Sequence, residues 1–242
     1  MSDLVLPPSE EKPRYVRRMF AQIADRYDLL NRLISLGQDD RWRRLALRAL
    51  QLRGDERLLD LGGGTGALAR EALRMHPTLR VVTADLTYEM LSVGKVQLAD
   101  WPITWLTADA LRLPFPEAVF DALTSGFLLR NVADLDAALR EQFRVLRPGG
   151  RWSALDTTRP PEHWLSPLMR FHLRVVIPWL GKAVARNGMA YRYLQASTEH
   201  FLAPDEMLAR LQAAGFQRVG YRRLMFGAVV VYWGHKPTRD EG

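Results

Sequence analysis

The sequence contains no cysteine. Disulfides, thiolate metal ligands and cysteine nucleophiles are therefore excluded, and a reducing cytoplasmic setting fits. It has no apolar run of the roughly 18–20 residues that a membrane-spanning helix needs. Its first residues, MSDLVLPPSEEKPR, mix acids and prolines without a basic segment leading into an apolar stretch. They do not read as a signal peptide. There is no internal repeat, no low-complexity tract, no metal-ligand spacing and no recognised nucleic-acid-binding motif. What is present is an ordinary globular composition: 242 residues, 48% hydrophobic and 25% charged, with a net charge of +7. That length suits one large domain, or one domain carrying an insertion. The basic excess is spread through helical segments as Arg17, Arg18, Arg41, Arg43, Arg44 and Arg48. Solvated helix faces are the first reading of it, and contact with an anionic membrane surface the second.

Residues 1–14 read as a loosely docked leader. From Tyr15 to Ala49, apolar residues recur at helical spacing (Met19, Phe20, Ile23; Leu29, Leu30, Leu33; Trp42, Leu45, Leu47). Gly37 interrupts them, which predicts two or three helices forming a cap over 15–50. An alternation then begins. Strands are predicted at Arg57–Leu61, Arg80–Asp85, Ile103–Leu106, Phe120–Ser125 and Arg151–Leu155. Helices fall at about Leu68–Met75, from Tyr88, and at Leu135–Leu146, the last ending before Pro148-Gly149-Gly150. Such alternation implies βαβ units and a parallel, doubly wound α/β sheet. The stretch 162–186, with Trp164, Phe171, Ile177 and Trp179, is unusually apolar and reads as part of a helical insertion over 162–200. It suits a wall of a substrate pocket, a dimer interface or plain core. A helix at Asp205–Ala214 and an antiparallel pair of strands, Phe216–Tyr221 and Phe226–Trp233, close the domain at 237, leaving a tail over 238–242.

The strongest local signal is Asp60-Leu61-Gly62-Gly63-Gly64-Thr65-Gly66, at the end of the first strand and the start of a helix. Glycines there allow a sharp turn and close approach of the backbone to a ligand. Gly62, Gly64 and Ala67 also satisfy the dinucleotide pattern G-x-G-x-x-A, so a nicotinamide-dependent oxidoreductase is a rival reading. Two features favour S-adenosylmethionine. Asp60 stands two residues before the first glycine, placed to accept a hydrogen bond from an amino group. Gly66 completes the D-x-G-x-G-x-G signature of class I methyltransferases. Asp85 ends the second strand, placed for two ribose hydroxyls, with Leu86 beside it. Asp109-Ala110 follows the third strand, where an acid faces the adenine amino group or simply forms a turn.

Further elements carry a closer resemblance. They are Tyr27-Asp28-Leu29-Leu30-Asn31, Leu113-Pro114-Phe115-Pro116, Leu129-Arg130-Asn131-Val132, Arg144–Gly150, Tyr191-Arg192-Tyr193-Leu194, Ala214-Gly215-Phe216 and Gly234-His235-Lys236-Pro237. In this order, from Tyr15 to Pro237, the chain resembles the ubiquinone/menaquinone-biosynthesis C-methyltransferase family. The resemblance implies a Rossmann-like class I methyltransferase fold whose last strand is antiparallel. It implies methyl transfer from S-adenosylmethionine to a ring carbon of a prenylated quinol. It also makes Thr65 and Gly126 cofactor residues, alongside Asp60, Gly62, Gly64, Gly66, Asp85, Leu86, Asp109 and Ala110.

The chain departs from the family at four places. Leu128 precedes Leu129-Arg130-Asn131 where a glycine is usual. Gly126 stands where a serine is common. Asp156-Thr157-Thr158 replaces Glu-Phe-Ser. An acid before Tyr191 is missing near Asn187-Gly188-Met189. The Asp-Thr-Thr ending resembles the naphthoquinone members and implies demethylmenaquinol as the acceptor, with the ubiquinone benzoquinol intermediate or another lipid or aromatic acceptor as alternatives. Aromatic carbon methylation needs an ionised hydroxyl. Arg130 is the expected cation favouring it, Asn131 the group orienting the oxygen, and Tyr27 the ring closing over the cofactor. A salt bridge is the structural alternative for Arg130. His163, His172 and His200 read as packing residues. A prenylated acceptor and a basic chain imply peripheral contact with the inner face of the cytoplasmic membrane. A homodimer is compatible, and no nucleic acid is expected. A non-catalytic cofactor- or nucleic-acid-binding protein is the remaining alternative.

Overall fold

Short apolar strands separated by helices can bury both faces of a sheet only if helices cover each side. The computed structural model describes residues 6–159, 193 and 196–238, and it has this arrangement. Three helices come first: α1 (Lys12–Ile23), α2 (Tyr27–Ile34) and α3 (Asp39–Ala49). Then follow β1 (Arg57–Leu61), α4 (Ala67–Met75), β2 (Arg80–Asp85), α5 (Tyr88–Gln97), β3 (Ile103–Thr107), β4 (Phe120–Gly126), α6 (Leu135–Val145) and β5 (Leu146–Thr157). The chain closes with α7 (Pro204–Ala213), β6 (Gln217–Leu224) and β7 (Val229–His235). The seven strands lie in the order β3-β2-β1-β4-β5-β7-β6. β1 to β5 are parallel, and β7 runs antiparallel to both β5 and β6.

The pleat divides the core. Leu58 and Ala122 point to one face, where Leu47 and Leu50 of α3 and Leu68, Ala72 and Leu73 of α4 cover them. Leu59, Leu61 and Leu123 point to the other, against Leu139, Val145, Trp152 and Phe216. A one-residue slip of β1 would exchange these sets, so register is fixed by the apolar pattern. Strand order reverses between β1 and β4. In open α/β sheets, the crevice at the carboxyl ends of the strands around such a reversal is where ligands bind.

Several boundaries differ from the sequence reading, three of them with a clear local cause. α1 begins at Lys12 rather than Tyr15, because Pro13 sits in its first turn, where no backbone donor is needed. β5 starts at Leu146, directly after α6, and the Pro-Gly-Gly segment is absorbed by a register shift against β4. Phe226 does not open β7. Met225 and Phe226 take left-handed backbone angles in a tight turn before it, leaving the Phe226 ring 62% exposed. The insertion at 162–186, His163, His172, and Tyr191, Arg192 and Leu194 lie outside the described residues.

Candidate active site

The turn after β1 forms the floor of a cleft across the carboxyl ends of β3, β2, β1, β4 and β5. Its empty volume is about 1070 Å³, counting the part open to solvent. The amides of Gly62 and Gly63 both donate to the carbonyl of Ala84 on β2. Gly64 takes φ +55 and donates to Asp85 Oδ2 at 2.9 Å, while Thr87 N donates to Asp85 Oδ1 at 2.7 Å. A side chain at Gly64 would enter this narrow space beside Met90 and Asp85. Asp85 is thus held rigidly at the cleft wall with lone pairs still available for a vicinal diol. Burial raises its pKa, opposed by the Thr87 and Gly64 amides.

Of the other expected cofactor residues, Gly62, Thr65, Leu86, Asp109, Ala110 and Gly126 line the cleft. Asp109 is exposed at the rim. Its carboxylate accepts from Leu111 N at 2.9 Å, so it forms the turn as well as facing the cleft. Gly126 stands where an added Cβ would come 3.0 Å from Leu68. Gly66 and Asp60 sit behind the loop rather than in its face. At Gly66, φ is +80 and a Cβ would come 2.6 Å from the Trp105 ring, so this glycine permits packing. Asp60 is fully buried. Its Oδ2 accepts from Ala69 N in the first turn of α4 at 3.2 Å, and its Oδ1 has no partner among the described residues.

Burial, with help from nearby Asp85, pushes the Asp60 pKa up to about 7 against the Ala69 amide and Arg43. The folded protein therefore holds a proton that the unfolded carboxyl, near pH 4, releases. Stability from this group is complete below about pH 4 and is lost as the pH climbs through about 7. Asp85 acts in the same direction. The melting temperature of the ligand-free protein should fall between pH 5 and 8, and Asp60→Asn should flatten that slope. An unchanged slope in the variant would show that Asp60 is ionised throughout.

The helical cap supplies the second wall. Pro13, Val16 and Phe20 of α1 line the cleft, as does Tyr27, whose ring meets Phe20 edge-on at 5.7 Å. Asp28 Oδ1 accepts from Thr65 Oγ1 at 2.8 Å, tying α2 to the glycine turn. Asp28 was not among the expected site residues, although the Tyr27-Asp28-x-x-Asn31 element contained the signal. Arg43 was read with the solvated arginines. It is buried instead, at 6% exposure, because Asp39 and Asp40 one turn earlier pair with it at 2.5 and 3.2 Å, and it lines the cleft.

The three expected catalytic residues separate into two positions. Tyr27 and Asn131 face the cleft. Asn131 Nδ2 donates to Phe127 O at 2.8 Å, and its buried Oδ1 has no partner among the described residues. Arg130 lies behind them, ion-paired with the fully buried Asp156 of β5 and stacked 5.2 Å from the Phe127 ring centre. Lys12 Nζ donates to Val132 O at 2.9 Å, latching α1 beside this group. His200 is exposed and bonds Ala196 O, away from the cleft.

The model of the ubiE/COQ5 methyltransferase family matches residues 9–236. The chain belongs to the ubiE/COQ5 methyltransferase family. It is an S-adenosylmethionine-dependent methyltransferase of ubiquinone or menaquinone biosynthesis. It is 40% identical to a ubiquinone/menaquinone biosynthesis C-methyltransferase UbiE of Desulfotalea psychrophila, over 91% of this chain and 90% of that one. It is 43% identical to a demethylmenaquinone methyltransferase of Thermus thermophilus, over 90% and 100%. A demethylmenaquinone methyltransferase of Roseiflexus sp. is 37% identical over 98% and 99%.

Solved structures share the fold. The [4+2]-cyclase SpnF superposes with a TM-score of 0.67 at 17% identity, covering 97% of this chain and 98% of that one. A Haemonchus contortus phosphoethanolamine N-methyltransferase bound to S-adenosylhomocysteine gives 0.61 at 14%, covering 81% and 52%. A cyclase among these neighbours shows that the fold alone does not set the reaction. The donor set here fits S-adenosylmethionine: a diol-ready Asp85 and a glycine turn whose Cβ positions are already taken by Leu128, Thr83 and Met90.

No helix among the described residues is long and apolar enough to cross a membrane.

Proposed function

We propose that this enzyme methylates a ring carbon of a prenylated quinol, and that its acceptor is demethylmenaquinol. The observation carrying this reading is the convergence of Tyr27 and Asn131 on the glycine-floored cleft, with the Arg130–Asp156 pair directly behind them. Asp85 would hold the ribose, Asp109 and Ala110 the adenine, and Gly62 to Thr65 the amino-acid end. When bound, S-adenosylmethionine supplies an electrophilic methyl group.

The protein's task is to raise electron density on the acceptor ring and hold it still. Asn131 is anchored through its amide nitrogen, so its Oδ1 is the atom available to accept from a quinol hydroxyl and orient it. Burial raises the Tyr27 pKa, opposed by the Asn31 hydrogen bond and by the charges of Arg130 and Arg43. Tyr27 therefore stays protonated near neutrality and donates to the developing phenolate rather than acting as a base. Arg130 adds positive potential from behind.

The naphthoquinol assignment draws on Asp156-Thr157-Thr158 and on the Thermus and Roseiflexus relatives. A prenyl tail also needs access from a bilayer. Leu29, Leu33 and Leu36 form an apolar ridge along and just beyond α2, 53%, 37% and 70% exposed, beside exposed Arg32 and Arg41. Leu36 holds a left-handed backbone at φ +54. An apolar ridge flanked by arginines matches an anionic bilayer interface.

Purified protein with labelled S-adenosylmethionine and either reduced demethylmenaquinone or the demethylated benzoquinol, in phosphatidylglycerol-containing vesicles, tests the reading. Label should enter the naphthoquinol. Label only in the benzoquinol overturns the branch, and label in neither overturns the acceptor class. Leu33→Glu should reduce turnover on vesicles several-fold and leave a short-tailed, water-soluble quinol unaffected; equal rates on vesicles would remove the docking ridge.

A further inference from the structure

We infer that Arg43 binds the carboxylate at the amino-acid end of the cofactor. Two arginines line the cleft among the described residues, Arg17 and Arg43. Arg17 is exposed on α1, which packs against α5 on the β2 side of the sheet. Arg43 is buried on α3, which packs against α4 and β5. The order of the strand ends decides between them. Asp109 follows β3 and Asp85 ends β2, so a nucleoside held by this pair extends its substituent toward β1 and β4. Arg43 is the cleft-lining cation there.

Its geometry suits a carboxylate. The bonds to Asp39 and Asp40 both fall on Nη1. A guanidinium carries five N–H donors in a planar fork, and a carboxylate takes two of them side by side. Asp39 is itself fixed by Ser35, whose hydroxyl donates to Asp39 Oδ1 at 3.1 Å. The chain Ser35–Asp39–Arg43 thus holds the fork in one place before the ligand arrives, which lowers the ordering cost of binding. A helix whose first turn reads Asp-Asp-Arg-Trp-Arg-Arg has several arginines. Arg43 is the one facing inward, because Trp42, Ala46 and Leu47 set the buried side of α3.

Decarboxylated S-adenosylmethionine lacks only the carboxylate and serves as the probe. By calorimetry, the unmodified protein should bind S-adenosylmethionine about 10- to 100-fold more tightly than the decarboxylated ligand, the range expected for a charge-assisted hydrogen-bonded pair. Arg43→Gln should lose that preference, with affinity for S-adenosylmethionine falling and affinity for the decarboxylated ligand unchanged or higher. Arg43→Lys should keep part of it. Equal binding of both ligands by the unmodified protein overturns the inference, and that comparison needs no variant to fold. Loss of both affinities together in Arg43→Gln overturns it in favour of a purely structural ion pair. Full preference retained in Arg43→Gln places the carboxylate elsewhere. None of these readouts depends on the identity of the quinol.

Discussion

Asp156→Ala should destabilise the protein by about 3–5 kcal/mol, the usual consequence of leaving a buried charge without its partner. Asp156 has no exposed surface and Arg130 retains 7%. Asp156 Oδ1 accepts from Arg130 Nη1 and from Thr157 N, and Oδ2 accepts from the Arg130 amide at 3.4 Å. The carboxylate therefore offsets part of the guanidinium charge and also fixes the backbone turn carrying Arg130 and Asn131. Its removal strands a cation whose Nε already lacks a partner among the described residues. Water cannot replace the carboxylate cheaply in a pocket closed by Phe127 and β5. Thermal unfolding should register a drop of roughly 6–20 °C for a domain of this size. The double variant Arg130→Met/Asp156→Leu should recover much of that loss, because it removes both charges. A single-variant loss below about 1 kcal/mol would mean that the pair is hydrated in solution.

Arg130→Ala should lower turnover by about 10- to 100-fold, less than the roughly 100- to 1000-fold of removing a donor that touches the transition state, because Arg130 acts from behind Tyr27 and Asn131 and is paired with Asp156. The cation stands behind the two cleft-facing groups, Tyr27 and Asn131, so the loss should appear in kcat. Cofactor affinity should change by less than about threefold, since Asp85, the glycine turn and Arg43 lie elsewhere. Arg130→Lys should retain more activity than alanine, because the charge persists, yet less than the parent, because lysine lacks the fork that matches Asp156. The alkaline limb of the pH profile supplies a readout that misfolding would not move. Arg130 opposes the raised pKa of Tyr27, so in Arg130→Ala that limb should shift further toward high pH. An unshifted limb together with weakened cofactor binding would assign Arg130 to structural support.

The parallel part of the sheet was legible because most of its strands contain a short apolar run ending at glycine or an acid, and those signals are local. The cleft floor was legible for the same reason. The pairing of Arg130 with Asp156 was not, since the two are 26 residues apart and meet only because β4 and β5 are neighbours. Arg43 was misread although its partners stand three and four residues before it. A run of arginines on a helix looks solvated until the apolar side of the helix is known, and Trp42 beside Arg43 placed both on that side. Phe226 looked like a strand residue because β7 is apolar, yet the chain must turn before Val229 to pair antiparallel with β6. Asp60 was expected to meet the ligand. Complete burial turns one of its oxygens to the α4 amide and leaves the other without a partner among the described residues.

The hydrogen bond from Thr65 to Asp28 joins two parts with different work. The sheet ends carry Asp85 and the glycine turn, whereas α1 and α2 contribute Phe20 and Tyr27 to the cleft and, under the proposed function, the surface that the acceptor would meet. Under the proposed function, such a division lets a lineage alter what is methylated by changing α1 and α2, provided that α3 with Arg43 and the ties from Thr65 to Asp28 and from Lys12 to Val132 are kept. A chimera exchanging residues 12–34 between relatives with different acceptors would then carry its specificity with the transplanted helices, and the aspartate–threonine tie is a contact that such an exchange must preserve.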